Sequence, residues 1–219
     1  MKHHLIAATV LVAALPASAN LLANGSFENP NIVATGGYAL YATGSTAITG
    51  WTVQGADTQL TPDTYAGLKA ADGRQWLDLT GIYGYDKGVR SDAVAVEVGK
   101  VYDISFDVGN YLPFGRSTLG VSINGAADQI FSNTSLGVTG HYPMNWAHFS
   151  IQWTADAPTL QLTFLGRANG ALSNNAVIGL DNVAVDRVQQ PVPEPGTWAL
   201  MLGGLALMGA YAGRSNRRR

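Results

Sequence analysis

Short runs of alternating apolar and polar residues recur along the chain between clusters of Gly, Asn, Asp and Pro, and no long segment keeps a helical period. The clearest run is 101–108. Tyr102, Ile104, Phe106 and Val108 fall on one face while Asp103, Ser105 and Asp107 fall on the other, the pattern of a strand with one wet side. Phe149, Ile151 and Trp153 alternate in the same way with His148, Ser150 and Gln152, as do Leu160, Leu162 and Phe164 with Thr159, Gln161 and Thr163. Further strands are predicted at 50–53, 75–79, 93–98, 118–123 and 177–185, with turns such as Asn124-Gly125 and Val98-Gly99-Lys100 between them. Many short strands at this spacing predict an all-β sandwich or barrel, with Trp51, Trp76 and Trp153 in its core.

Both ends break this pattern. Residues 1–19 carry Lys2, His3 and His4, then an apolar stretch over 5–15, then Ala17-Ser18-Ala19, which together read as a secretory signal peptide cleaved before Asn20. Residues 191–219 read as a proline-rich break, an apolar run and a terminal cluster of Arg214, Arg217, Arg218 and Arg219. As a helix the apolar run 197–213 spans about 26 Å at ~1.5 Å per residue, a short single membrane span. The arginines place the extreme C-terminus in the cytoplasm and the preceding domain outside the inner membrane. Between these signals lies one domain, 20–190, large enough for a sizeable core.

Composition narrows the chemistry. The chain has no cysteine, so disulfides, thiol catalysis and cysteine metal sites are excluded. Between Asn20 and Pro195, eight Lys and Arg stand against fifteen Asp and Glu, a formal charge of −7 that disfavours nucleic acid as a partner. The 26 glycines are scattered through turns rather than periodic, so no repeat array is indicated.

Val192-Pro193-Glu194-Pro195, followed by an apolar segment with Gly203-Gly204 and then the arginines, resembles the PEP-CTERM sorting signal of exopolysaccharide-producing Gram-negative bacteria. The resemblance implies recognition by an exosortase that cuts near Pro193, Glu194 and Pro195. The anchor is then transient, and the protein reaches the cell surface or extracellular matrix. A second set of motifs resembles galactose-binding-like jelly rolls, a group that includes many carbohydrate-binding modules and a cell-wall-associated family of unknown function. It comprises Asn24-Gly25-Ser26-Phe27-Glu28, Gly50-Trp51, the run 72–79 (DGRQWLDL), the run 102–107 (YDISFD) and Leu180-Asp181-Asn182-Val183. That resemblance implies two facing antiparallel sheets. It also implies a structural calcium ion held by Glu28 and Asp181, which joins the first and last strands. Oxygen ligands suit calcium; alternatively, Glu28 caps a turn and Asp181 bonds backbone at a β-bulge, with no metal.

Catalytic templates find little to hold. Beyond residue 19 only His141 and His148 remain, with no G-x-S-x-G elbow, H-E-x-x-H run or phosphate loop. Asp103 and Asp107 on one strand lie about 13 Å apart at ~3.3 Å per residue, too far for a direct acid–base pair. Asp72 and Asp78 read as a turn carboxylate and a strand-face carboxylate. Binding is the better-supported class, because aromatic faces flanked by planar polar groups suit sugars. Tyr38, Tyr41, Tyr65 and Trp146 are aromatic candidates, and the densest loops are 82–87 and 110–116. Tyr83, Tyr85, Tyr111, Phe114 and Arg116 would form a glycan platform if these two loops meet. The reading is a non-catalytic polysaccharide-binding protein; the alternative is a structural matrix protein without a specific glycan.

Overall fold

The computed structural model describes residues 20–82, 84–111, 116–135, 144–168, 177–189, 201–208, 211 and 214. The chain divides into a unit ending at Val188 and a second unit over 189–219.

In the first unit a short 3-10 turn, Val33–Thr35, precedes β1 (Ala39–Ala42), β2 (Trp51–Gln54), β3 (Asp57–Pro62), β4 (Gln75–Asp78), β5 (Lys87–Ser91) and β6 (Val94–Ala95). There follow β7 (Val101–Tyr111), β8 (Ser117–Ile123), β9 (Gln129–Asn133), β10 (Met144–Thr154), β11 (Thr159–Leu160), β12 (Leu162–Arg167) and β13 (Ile178–Arg187). One sheet has the order β1-β3-β4-β13-β7-β10 and the other β2-β5-β12-β8-β9, with β6 and β11 forming a small ribbon. Every pairing is antiparallel. The architecture is a two-sheet jelly-roll sandwich.

The alternation read from the sequence sets the faces. Register pairs Phe106 with Phe149, Ile104 with Ile151 and Tyr102 with Trp153, so their apolar sides turn inward together. Phe106 meets Phe131, Phe149 and Phe164, and Trp51 joins Phe27 to Phe164, giving an aromatic seam between the sheets. Residues 20–25 run beside β13: Leu21 N–H donates to the Val185 carbonyl and Val183 N–H to the Gly25 carbonyl, both at 2.9 Å. A Cβ on Gly25 would stand 1.9 Å from the Val183 oxygen, so this approach requires glycine.

Several elements differ from expectation. β7, β10 and β13 run longer than predicted, and 159–164 divides into β11 and β12 around Gln161, whose N–H turns to Asn124 Oδ1. Expected strand 93–98 shrinks to two residues because Val98, Gly99 and Lys100 turn, with Gly99 N–H bonding the Ala155 carbonyl. Strands β1, β3, β5 and β9 lie outside the predicted set; β5, Lys87-Gly88-Val89-Arg90-Ser91, has a single large apolar residue and no visible alternation. Trp51 is in the inter-sheet core, Trp153 only half-buried against it, and Trp76 buried in a separate cluster on the outer face of the larger sheet.

In the second unit, 201–208 is helical and its apolar side chains are exposed. Among the described residues no helix is long and apolar enough to cross a membrane. Residues 1–19 and 191–200, and with them Pro193, Glu194 and Pro195, lie outside the described residues.

Candidate functional site

The carboxylates of the two sandwich motifs, Glu28 and Asp181, converge on one loop. Residues 63–74 leave β3 and fold back across the outer face of the larger sheet, where three anchors hold 69–75. Trp146 Nε1–H donates to the Lys69 carbonyl at 2.9 Å. Asp181 Oδ2 accepts from the N–H groups of Ala71 (2.8 Å) and Asp72 (3.0 Å). Glu28 Oε1 accepts from those of Arg74 (2.7 Å) and Gln75 (2.8 Å). Gly73 fits between them at φ +66°, where a Cβ would lie 2.4 Å from Glu28 Oε1. Beneath the loop, Leu68, Trp76 and Met144 are buried with Tyr111, Trp146 and Val177 packed on them. The indoles of Trp76 and Trp146 meet edge to face at 5.9 Å.

Glu28 and Asp181 thus hold the two halves of 71–75 from the first and last segments of the domain, Asp181 at Ala71 and Asp72 and Glu28 at Arg74 and Gln75. Asp181 is fully buried, and burial pushes its carboxyl up to about 8, against bonds from Asp72, Asn182 and Ala71 that lower it; the charge of Asp72 raises it further. Neither carboxylate forms an ion pair among the described residues. Both Asp181 oxygens accept backbone N–H groups, Oδ1 from Asn182 at 2.7 Å, whereas Glu28 Oε2 has no hydrogen bond among the described residues; carboxylate oxygens are of the hard kind calcium takes, so the donors fit that ion in kind. Among the described residues no three His, Cys, Asp or Glu side chains group into a metal site, so an ion there would complete its shell from backbone carbonyls and water.

Whether the aromatic loops 82–87 and 110–116 can form one platform depends on where they lie, and strand order bears on this. β4 and β7 flank β13 in one sheet, Asp78 and Gly109 both standing opposite Gly179. β5 and β8 flank β12 in the other, Lys87 and Leu119 both standing opposite Gly166. The crossovers β4–β5 and β7–β8 therefore leave the same end of the sandwich, on either side of the β12–β13 connection. Tyr85 is half-buried against the inter-sheet core, whereas Tyr111 packs in the outer-face cluster. Arg116 is exposed just before β8. Tyr83 and Phe114, like His141, lie outside the described residues. Elsewhere Tyr38 and Tyr65 meet edge to face at 5.3 Å, and Tyr41 packs against the core.

Carboxylates distribute differently from the pairs considered in the sequence. Asp72 accepts from Ser26 Oγ–H at 2.6 Å, whereas Asp78 is enclosed with Thr80, so these two serve separate turns. His148 Nδ1 lies 2.8 Å from Asp107 Oδ1, and Asn182 Nδ2–H donates to Asp107 Oδ2. The register also sets Asp103 directly opposite Asp186, a pair that sequence spacing does not reveal. Burial, and then the charge of Asp103, raise the Asp186 carboxyl, and Asp186 Oδ1 is enclosed without a hydrogen-bond partner among the described residues.

Comparison with known proteins places this geometry. The family model described as protein of unknown function (DUF642) matches residues 20–186, and that of the PEP-CTERM protein-sorting motif matches 191–219. No curated protein matches the sequence. A cyclase from Fischerella sp. TAU, solved in complex with 4-(1H-indol-3-yl)butan-2-one, is similar in fold, with a TM-score of 0.55 and 12% identity over 78% of this chain and 98% of that one. The CBM22-1 xylan-binding domain of Paenibacillus barcinonensis Xyn10C aligns at TM-score 0.44 and 18% identity over 81% of this chain and 99% of that one. TmCBM61 in complex with β-1,4-galactotriose aligns at 0.43 and 15% over 78% and 100%.

Proposed function

The chain belongs to the DUF642 family and carries a PEP-CTERM sorting motif, and from that premise we propose a non-catalytic carbohydrate-binding module that holds polysaccharide at the cell surface or in the extracellular matrix. The observation carrying this reading is the shared end of the sandwich. Two aromatic-containing crossovers leave it on either side of the β12–β13 connection, with Tyr85, Tyr111 and Arg116 at or beside the strand ends and Tyr83 and Phe114 in the same two segments of sequence. Aromatic faces with adjacent planar polar groups suit the C–H and hydroxyl surfaces of a sugar.

Delivery follows from the two termini. Residues 1–19 direct export and are removed, 197–213 crosses the inner membrane transiently, and an exosortase recognises Pro193, Glu194 and Pro195. The domain between, 20–190, is what remains outside. A calcium ion held by Glu28 and Asp181 would stabilise it, because a buried carboxylate without an ion pair gains most from a cation. Chelator should then lower the melting temperature, and an unchanged midpoint would remove the ion from the account.

A glycan array probed with the full chain tests the binding reading. Binding to at least one neutral polysaccharide, weakened severalfold by Tyr85→Ala and Tyr111→Ala, is expected. Binding to nothing on the array would favour a structural matrix protein without a specific glycan.

A further inference from the structure

At the opposite end of the sandwich, where β8 and β10 finish, a cleft of about 350 Å³ opens between two turns. One wall is the β8–β9 turn, from Asn124 to Gln129. Asn124 and Gly125 take φ of +51° and +76°. Ala126 N–H bonds the Ile123 carbonyl, and Ser122 Oγ–H donates to the Ala126 carbonyl at 2.6 Å. Asn124 also spans to the neighbouring strand region, donating to the Thr159 carbonyl and accepting from Gln161 N–H. The facing wall is Trp153 with the turn that follows it. Tyr102 supports the indole at 6.3 Å, and Ala155 is bonded through both its N–H and its carbonyl to Lys100 and Gly99. Both walls are therefore fixed by hydrogen bonds before anything binds.

The lining has a particular chemistry. Trp153 contributes a half-buried aromatic ring, and Ala126 and Ala127 leave room beside it. Gln129 and Asp156 are exposed in the cleft, and neither side chain makes a hydrogen bond or ion pair among the described residues. An amide that both donates and accepts, a carboxylate that only accepts, and an aromatic wall suit a ring with one C–H face and several hydroxyls. The volume is at the small end of ligand cavities, about 300–1,000 Å³, the scale of one or two sugar rings rather than a long chain segment. No basic side chain lines the cleft. Asp156 and the −7 charge between Asn20 and Pro195 oppose an anionic ring.

We propose that this cleft is a second glycan site, which takes one or two neutral sugar units against Trp153 with Gln129 and Asp156 on their hydroxyls, and excludes uronic acids. The ligand class rests on the carbohydrate-binding reading; the place and the selectivity are independent of it. Two sites at opposite ends would let one molecule join two polysaccharide strands.

Titration of the full chain with neutral gluco-, galacto- and xylo-oligosaccharides and with oligouronate tests this. Wild-type protein should bind a neutral oligosaccharide and not the uronate. With Tyr85→Ala and Tyr111→Ala in place to weaken the first site, Asp156→Ala with Gln129→Ala should weaken the remaining binding at least tenfold, and Ala127→Trp, which fills the cleft, should abolish it with the melting temperature little changed. Independently of any variant, oxidation of Trp153 by N-bromosuccinimide, mapped by mass spectrometry, should slow severalfold when the bound sugar is present. Undiminished binding in both variants, or unprotected Trp153, overturns the second site while leaving glycan binding intact. Wild-type failure to bind any neutral oligosaccharide overturns both.

Discussion

Asp78 stands on the outer face of β4 with its Oδ1 accepting from Thr80 N–H at 2.9 Å and from the Thr80 hydroxyl at 2.5 Å. Burial raises its carboxyl to about 6, outweighing those bonds, the one from Ile178 N–H and the charge of Lys87, all of which lower it. The folded state therefore holds this proton longer than the unfolded chain. Its stabilising effect is complete below about pH 4 and is lost as pH rises through about 6, a difference of roughly 3 kcal/mol at ~1.36 kcal/mol per pKa unit. Asp78→Asn keeps an acceptor for the same donors without the charge. Melting curves should show the variant gaining on wild type from about pH 4 to about 6 and running parallel to it above that; parallel curves from about pH 4 to 6 would contradict the assignment. Gly109 and Gly179 offer a steric counterpart, since Trp146 and Met144 lie across both. A Cβ at Gly109 would come within 2.5 Å of Met144 Cε and 2.8 Å of the Trp146 ring. Gly109→Ala should therefore cost about 1–3 kcal/mol by overpacking, read by denaturant unfolding.

Among the elements, β13 carries the most conflicting demands. It pairs with β4 and β7 and is flanked by 20–25, and its bulge between Asp181 and Ala184 turns Asp181 beneath the clamped loop and Asn182 toward Asp107. Further along, Asp186 faces Asp103, and like charges directly opposite destabilise a sheet. Asp186→Asn should raise stability by about 0.2–1 kcal/mol at neutral pH, measured by denaturant midpoint; a loss would mean that the carboxylate has a partner of its own. Such cross-strand relations explain what the sequence discloses and what it hides. Alternation made β7 and β10 legible, because each has one inner apolar face and one wet face. It failed at β5 and β3, whose inward positions include Ser91 and Thr58, buried through hydrogen bonds rather than hydrophobicity. The Asn24-to-Glu28 and Leu180-to-Val183 motifs lie together, with Val183 N–H bonded to the Gly25 carbonyl, a contact between backbones that alternation does not disclose. Their shared grip on 71–75 needed the register, as did the burial of Trp76 outside the main core. The cleft at Trp153 left no motif, since its walls come from residues about thirty apart.

For the whole molecule, the sorting motif and the sandwich make separable claims. Delivery predicts that protein recovered from the cell surface lacks 1–19 and most of 191–219, which intact-mass measurement reads directly; a species retaining 196–219 would contradict transient anchoring. Binding predicts that the exported domain finds polysaccharide through a rigid, disulfide-free sandwich whose aromatic groups sit at its ends. Co-sedimentation of the purified chain with polysaccharide from the cells that make it tests that most directly. Saturable retention in the pellet that a neutral oligosaccharide competes away is expected; protein remaining in the supernatant at every polysaccharide concentration would rule out polysaccharide binding.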